Sequence, residues 1–507
     1  MSRFSFNPDG RRLVFALFAG AALPLAFAPF EISIIAILSI AILFNIWLDC
    51  RPGQAFLCGY CFGLGLFGIG VNWLHISINL FGGVNLGGAI FITLILIAFL
   101  SLFPAFAGFI AVRFLTTKAA TPALLAGLPT AWVFTEWCRS WVFTGFPWLT
   151  LGYTQTNTAI SAIAPVLGIY AVSWLVCLLA ALTVYIFRTK QGVQAAFAFG
   201  AIIIIVSGSL ILDQVNWTTP DAGEKQVALI QGAVPQEIKW DPDQKQPSID
   251  LYLNLSEPYW GGDLIIWPET AIPMFYHQAK PLLENLLELV ELNDTDLLTG
   301  IPIYLPEEKK FYNSVIVLRQ DELDIYHKNH LVPFGEYLPL DKWLRPVLDS
   351  LGIPISDFSA GNHDPVITAA GVAAGISICY EDVFGEEVAR ALPESRILIN
   401  VSNDAWFGDS LAPHQHLQMA RMRAKETGRF LLRSTNTGIS AIIDEKGRII
   451  NQSPQFKPHA LSARIKMFHG RTPYSIGKNY PVLILLTVFF LYFISLYFRK
   501  NNHPRRS

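Results

Sequence analysis

The sequence predicts an integral membrane bundle of eight helical spans joined to one extramembrane α/β domain. Three observations carry that prediction. Hydrophobic residues make up 52% of the 507 and charged residues only 15%, with a mean hydropathy of +0.41, against a usual charged share of about 25%. Between residues 13 and 212 only nine Asp, Glu, Lys or Arg occur: Glu31, Asp49, Arg51, Arg113, Lys118, Glu136, Arg139, Arg188 and Lys190. From Gln226 onward, short β-rich runs alternate with amphipathic stretches, the pattern of a layered α/β domain. This composition excludes disorder, a collagen repeat and a small disulfide scaffold. A formal net charge of -2, without a long basic run, gives nothing to attract nucleic acid.

The nine charges fall between apolar runs of about 17–25 residues, the length that crosses a bilayer. In order the spans are 13–30, 32–48, 55–73, 86–112, 123–141, 160–187 and 195–212, with an eighth at 481–498. The fourth is long enough to hold a tilt or a break at Pro104. Basic residues set the orientation. With a cytoplasmic N-terminus, the inside segments carry Arg3, Arg11, Arg12, Arg51, Arg113, Lys118, Arg188, Lys190, Arg499, Lys500, Arg505 and Arg506, and the opposite short loops carry only Arg139. Seven spans then leave Asp213 to Lys478 outside, the periplasm of a bacterium, and the eighth returns the tail to the cytoplasm. Arg11 and Arg12 before an Ala-rich run also fit a signal peptide, but the charge distribution works with the first span retained. The chain therefore divides into a membrane domain (1–213), a linker (214–225), an extramembrane domain (226–470) and a C-terminal segment with the last span (471–507).

Within the extramembrane domain, strands are expected at 227–231, 263–267, 297–303, 313–319, 323–327, 375–380, 397–402, 430–435 and 439–443, and helices at 280–292, 385–392 and 414–427. Five of the six cysteines lie in or beside the spans; Cys379 is alone in this domain. A lone cysteine in an oxidising compartment is buried filler or a working thiol. Position decides for the thiol: Cys379 ends the apolar run Gly375-Ile376-Ser377-Ile378 and precedes Tyr380-Glu381-Asp382, where a buried strand meets a polar loop. Two other strand ends carry ionisable residues in the same way: Glu269 just after the apolar strand at 263–267, and Lys328 after the strand at 323–327. A carboxylate, an ammonium and a thiol so arranged make a nucleophilic acyl-transfer site, with Glu269 as base, Cys379 as nucleophile and Lys328 holding the oxyanion. Taken singly, Glu269 or Lys328 reads first as a solvated charge or a salt bridge at a domain rim; it is the three together that point to the site.

The motifs carry a family resemblance. Trp267-Pro268-Glu269, Tyr326-His327-Lys328-Asn329-His330-Leu331-Val332-Pro333-Phe334-Gly335-Glu336-Tyr337 and Ile378-Cys379-Tyr380-Glu381 resemble the Glu, Lys and Cys motifs of the nitrilase, or carbon-nitrogen hydrolase, superfamily. Seven leading spans and one trailing span resemble its membrane-bound branch, the bacterial apolipoprotein N-acyltransferases. Thr144-Gly145-Phe146-Pro147-Trp148, Gly152-Tyr153, Gln231-Gly232, Pro235-Gln236, Lys239-Trp240 and Asn400-Val401-Ser402-Asn403-Asp404-Ala405-Trp406-Phe407 fit that narrower match.

The resemblance implies an α-β-β-α sandwich for the domain. It implies transfer of an acyl chain from a membrane phospholipid, typically phosphatidylethanolamine, through a Cys379 thioester to the α-amino group of the N-terminal diacylglyceryl-cysteine of an apolipoprotein. It maps base, oxyanion lysine and nucleophile to Glu269, Lys328 and Cys379, adds Glu336, Tyr380, Glu381 and Trp240 as supporting residues, and places the enzyme in the bacterial inner membrane, without a cofactor.

Both substrates live in the bilayer, which explains spans before and after the domain. Transfer to an amine requires that water not intercept the thioester. Trp406, Phe407, Phe334 and Trp240 are candidates for an apolar screen, with ordinary core as the alternative for each. Phe146 and Trp148, on the loop between the fifth and sixth spans, line a lipid entrance or belong to an interfacial aromatic belt. Cys58-Gly59-Tyr60-Cys61 lies inside an apolar span without the pattern of a redox or metal motif. His414-Gln415-His416 lacks a third ligand nearby and reads as solvated or capping histidines, so no metal is expected. Two other classes use the same elements: a membrane-anchored nitrilase-type amidase, and a transporter with a periplasmic sensor domain. The second is weakened because Glu136 is the sole candidate for an intramembrane ionisable group.

Overall fold

The structure, a computed structural model, describes residues 9–115, 121, 123–320, 322–350, 357–362 and 364–502. Arg3, Lys118, Arg505 and Arg506, which enter the orientation argument, lie outside the described residues. The chain forms two compact units: Met1–His75, Gly87–Val215 and Gly477–Ser507 make one, and Ile76–Leu86 with Asn216–Ile476 make the other.

The first unit is helical. Five described helices are long and apolar enough to cross a membrane: Pro52–Gly70, Leu86–Leu115, Ile169–Arg188, Gly192–Leu212 and Tyr480–Arg499. Shorter helices occupy three further predicted spans. Gly10–Ala22 starts at Asp9, whose carboxylate caps the Arg11 N–H, and gives way at Pro24 to the 3-10 turn Leu23–Ala26. Ile34–Leu48 is one apolar helix, and Leu128–Arg139 follows a π turn at Ala123–Gly127. Two expectations need correction. The helix Leu86–Ile110 runs through Pro104 without a break; proline removes one backbone donor, a loss that a long helix among neighbours absorbs. The run 160–187 is not one helix, because Gly168, at φ +76°, separates Ala164–Leu167 from Ile169–Arg188.

The second unit holds two six-stranded sheets. The first contains β1 (Thr219–Gln231), β2 (Leu264–Ile266), β3 (Asp296–Leu305), β4 (Lys310–Arg319) and β5 (Glu322–His327). The second contains β6 (Val366–Ala369), β7 (Val372–Ile378), β8 (Ile397–Ser402), β9 (Leu431–Thr435), β10 (Ala441–Ile443) and β11 (Ile449–Gln452). The last strand, β12 (His459–His469), returns to the first sheet. The orders are β12-β1-β2-β3-β4-β5 and β11-β10-β9-β8-β7-β6, with β1, β2, β3 parallel in one and β7, β8, β9 parallel in the other.

Strand alternation assigns the faces. Leu229, Ile266, Leu298 and Val317 of one sheet share a core with Ile376, Ile378, Ile399 and Leu432 of the other. The opposite face of the first sheet, with Ile230, Ile265 and Ile316, is covered by Tyr252 of helix Lys245–Ser256 and by Leu283, Leu286 and Val290 of helix Lys280–Asn293. Leu398, Leu431 and Ile443 are covered by Leu417, Ala420 and Ala424 of helix Ala412–Thr427. The result is an α-β-β-α sandwich.

Part of the stretch read as linker is strand. β1 begins at Thr219 and pairs antiparallel with β12, Thr219 opposite His469, across a bulge between Pro220 and Glu224. Thr-Thr-Pro-Asp carries turn chemistry locally, and only the distant partner reveals the strand. For the same reason β6, β11, β12 and the helices Lys245–Ser256 and Asp341–Ser350 are absent from the sequence reading.

Candidate active site

Glu269 leaves the first sheet through Trp267 and Pro268; proline has no N–H for the ladder and ends the strand. Its loop lies against β3. A Cβ on Gly300 would stand 2.3 Å from the Thr270 nitrogen and 2.8 Å from Glu269 Cα, so only glycine allows this approach. The Glu269 side chain is buried. Its Oε1 accepts from Asn313 Nδ2 at 2.7 Å, while Oε2 is buried with no hydrogen-bond partner. Lys239 Nζ donates to the Glu269 carbonyl at 3.2 Å. Burial lowers the pKa of Lys239 to about 8, against the pull of the Glu269 charge.

Lys328 follows β5, and its N–H donates to Asn313 O at 2.8 Å. Its ammonium is buried and lies 2.9 and 2.8 Å from the two oxygens of Glu336. Burial opposes the charge, but Glu336, Glu269 and Cys379 outweigh it and raise the Lys328 pKa, so Lys328 stays protonated.

Cys379 follows the last residue of β7 at φ +51°, a left-handed conformation unusual for a non-glycine residue, and opens the 3-10 turn Cys379–Val383. Asn400 Nδ2 donates to Cys379 O at 3.4 Å and to Ser377 Oγ at 3.0 Å. Burial and the Glu269 charge push the thiol pKa up; Lys328 pulls it down less, and the net shift is upward. Glu269, Lys328 and Cys379 thus lie within electrostatic reach of one another, and the cysteine rests as a neutral thiol.

Glu381 ties two of the three loops together. Its Oε2 accepts from Ile378 N at 2.7 Å, and its Oε1 from Tyr326 OH at 2.9 Å, Asn329 N at 2.6 Å and His330 N at 3.1 Å. Burial pushes this carboxyl up to about 7, opposed by the Ile378 N–H and the Lys328 charge.

Behind the cysteine turn lies a buried ionic cluster. Arg433 reaches Asp382 Oδ2 at 3.1 Å, Asp404 Oδ2 at 3.0 Å and Asn400 Oδ1 at 2.5 Å. His416 bridges Asp382 Oδ1 at 2.8 Å and Asp404 Oδ1 at 3.0 Å. His416 is therefore neither solvated nor capping, as the sequence suggested: helix Ala412–Thr427 turns it inward onto two carboxylates from other segments. Burial would raise the Asp404 pKa, but Arg433 and His416 outweigh it and hold the carboxyl well below its usual range.

Residues 226–469 match the carbon-nitrogen hydrolase family, and residues 19–182 match the apolipoprotein N-acyltransferase N-terminal domain. The apolipoprotein N-acyltransferase of Methylococcus capsulatus is 44% identical over 475 residues, covering 93% of this chain and 94% of that protein. That of Nitrosomonas europaea is 41% identical, covering 95% and 96%, and that of Coxiella burnetii 39% identical, covering 94% and 99%. The chain belongs to the apolipoprotein N-acyltransferase family. With five long apolar helices among the described residues it is a membrane protein of that family, carrying a nitrilase-like domain of two sheets.

The supporting residues separate into two groups. Glu336 and Glu381 lie close to Lys328; Tyr380, next to Cys379 in the chain, is buried edge-on against Phe384, with ring centroids 5.2 Å apart. Trp240 closes the turn that carries Lys239. Phe146 and Trp148 belong to the helical unit instead. Trp148 is buried, stacks on Phe146 at 6.0 Å and meets Trp73 at 5.3 Å, and Arg139 donates to the carbonyls of both Phe146 and Trp148.

Three of the candidate screening rings are not core. Trp240 is 46% exposed, Phe334 61% and Trp406 40%. Their loops are anchored from within: Asn403 Nδ2 donates to Gln236 Oε1 at 2.7 Å, Lys239 bonds the Glu269 carbonyl, and Glu336 holds Lys328. Trp406 also meets the 76–86 segment of the same unit, edge-on to Phe81 at 5.0 Å, with its carbonyl accepting from Ser77 Oγ.

Sequence reasoning missed Asn313, Asp382, His416 and Arg433 as site residues. Asp382 follows the end of a buried strand, the signal that singled out Cys379, whereas Asn313, His416 and Arg433 carry no local mark.

Proposed function

We propose that this chain N-acylates apolipoproteins by a two-step ping-pong reaction on Cys379. In the first step, Glu269 Oε2 takes the thiol proton as sulfur attacks the sn-1 ester carbonyl of a phospholipid, phosphatidylethanolamine in this reading. Lys328 faces the oxyanion, the ester C–O bond breaks, and the proton passes from Glu269 to the departing alkoxide. In the second step, the α-amine of a diacylglyceryl-cysteine attacks the thioester carbonyl and loses a proton to Glu269; the C–S bond breaks, and Glu269 returns the proton to the departing sulfur, which regenerates the thiol. Because the buried thiol is neutral at rest, deprotonation accompanies attack and no standing thiolate is needed. Glu336, Tyr380 and Glu381 position the three reacting groups, and Trp240, Phe334 and Trp406 keep water from the thioester.

The observation that carries this reading is a buried thiol on a strained turn, with one carboxylate oxygen left unbonded and one ammonium beside it, on a chain with long apolar helices. In this reading the chain makes eight spans of the bacterial inner membrane, with both termini cytoplasmic and residues 226–470 periplasmic.

Intact-mass spectrometry of protein extracted from membranes tests it. A fatty-acyl adduct should map to the Cys379 peptide, disappear in Cys379→Ala, and discharge when a diacylglyceryl-cysteine peptide with a free amine is added. Discharge to free fatty acid at the same rate without peptide would instead identify an amidase-like hydrolase.

A further inference from the structure

Two glutamates stand close to Lys328, and the reaction above asks only one of them to accept a proton. Their hydrogen bonds differ. Glu336 is saturated: Oε1 accepts from Lys328 Nζ at 2.9 Å and Asn313 Nδ2 at 3.0 Å, and Oε2 from Val332 N at 2.8 Å and Lys328 Nζ at 2.8 Å. Glu269 accepts on Oε1 from Asn313 Nδ2 at 2.7 Å and has no partner on Oε2. The side chain shared by the two is Asn313, buried on β4, and its backbone carbonyl also accepts the Lys328 N–H. A primary amide has two N–H donors on one nitrogen. Both are spent here on carboxylates, which also fixes the direction of the amide, since its carbonyl would be repelled in that place.

We propose that Asn313 is a positioning residue that makes Glu269 the base, clamping one oxygen so that the other is held as the free acceptor for the Cys379 proton, while completing Glu336 as the fixed counter-ion of Lys328. Neutrality is part of the role. A cation at 313 would lower the basicity of Glu269, and an anion would oppose ionisation of both glutamates. The inference rests on the reading of Glu269 as base.

The test uses the full-length enzyme in phospholipid nanodiscs, with single-turnover formation of the Cys379 adduct followed by mass spectrometry across the pH range. Asn313→Ala should slow adduct formation about 10- to 100-fold, the scale of a misplaced catalytic group, at nearly unchanged dependence on phospholipid concentration and with a retained thermal midpoint. Asn313→Asp should slow it further and move the acidic limb of the rate profile to higher pH, a change that a merely structural role would not produce. Wild-type rates and pH profiles in both variants, with Glu269→Gln inactive, would overturn the role of Asn313 and leave the base intact. Wild-type rates in Glu269→Gln would overturn the base, and this inference with it.

Discussion

Replacing Arg433 with methionine withdraws the guanidinium from a closed cluster and leaves its carboxylates where water cannot reach them. Arg433, Asp382 and Asp404 are all fully buried, and the ion pairs measure 3.1 and 3.0 Å. Removing one member of a buried pair costs about 3–5 kcal/mol, because the partner keeps its desolvation penalty. Two carboxylates are stranded here, with His416 still facing both, and methionine roughly preserves volume. At about 2–4 °C per kcal/mol for a unit of this size, the unfolding midpoint should fall by about 6–20 °C. Thermal unfolding of the full-length protein in detergent, followed by tryptophan fluorescence, reads this directly. The pH dependence has a definite sign. The Asp404 pKa is depressed in the folded state, so its contribution is present above its unfolded value of about 4 and is lost as pH falls. The gap between wild type and Arg433→Met should therefore hold from about pH 7 to about pH 4 and narrow as the pH falls further. A midpoint lowered by less than about 2 °C, or a gap that widens with acid, would refute the view that this cluster is a stabilising ionic core.

Three further outcomes follow from the geometry. Gly300→Ala places a Cβ 2.3 Å from the Thr270 nitrogen, so the Glu269 loop must shift; adduct formation should drop by about two orders of magnitude, consistent with an ångström-scale misplacement, and a crystal structure should show the displaced loop. Lys328→Met should lower the rate of adduct formation by about two to three orders of magnitude, the cost of losing an oxyanion donor, and wild-type turnover in this variant would remove Lys328 from the chemistry. Trp240→Ala removes a ring that is 46% exposed; if it screens the thioester, free fatty acid released without acceptor peptide should rise several-fold in a chromatographic assay while adduct formation persists.

Much of the candidate site was legible because the three residues at its centre obey a local rule. Apolar runs that end at Glu269 and Cys379, and an alternating run that ends at Lys328, are visible in a string of letters, since a strand needs apolar residues on its buried face and its end needs polar ones. The motif resemblance extended that to Glu336, Tyr380 and Glu381. Asn313 escaped because its partners lie 44 and 23 positions away, and one asparagine in a strand looks like any other. His416 was misread for the same reason: its neighbours in sequence say surface helix, while Asp382 and Asp404 arrive from elsewhere.

By itself the sequence determined the quantities that depend on local composition: the long apolar helices, the β-rich domain between them, and the strand ends that hold thiol, carboxylate and ammonium. Hydrophobicity summed over one span or one strand is a property of contiguous residues, so no partner is needed to see it. The tertiary structure alone decided which strands pair, that β12 turns part of the apparent linker into β1, that Gly168 divides a helix, and that Asn313 gives two glutamates different bonds. Each of these is set by a backbone dihedral or by a contact between residues far apart in the chain, and such contacts exist only after the sheets have closed on a common core.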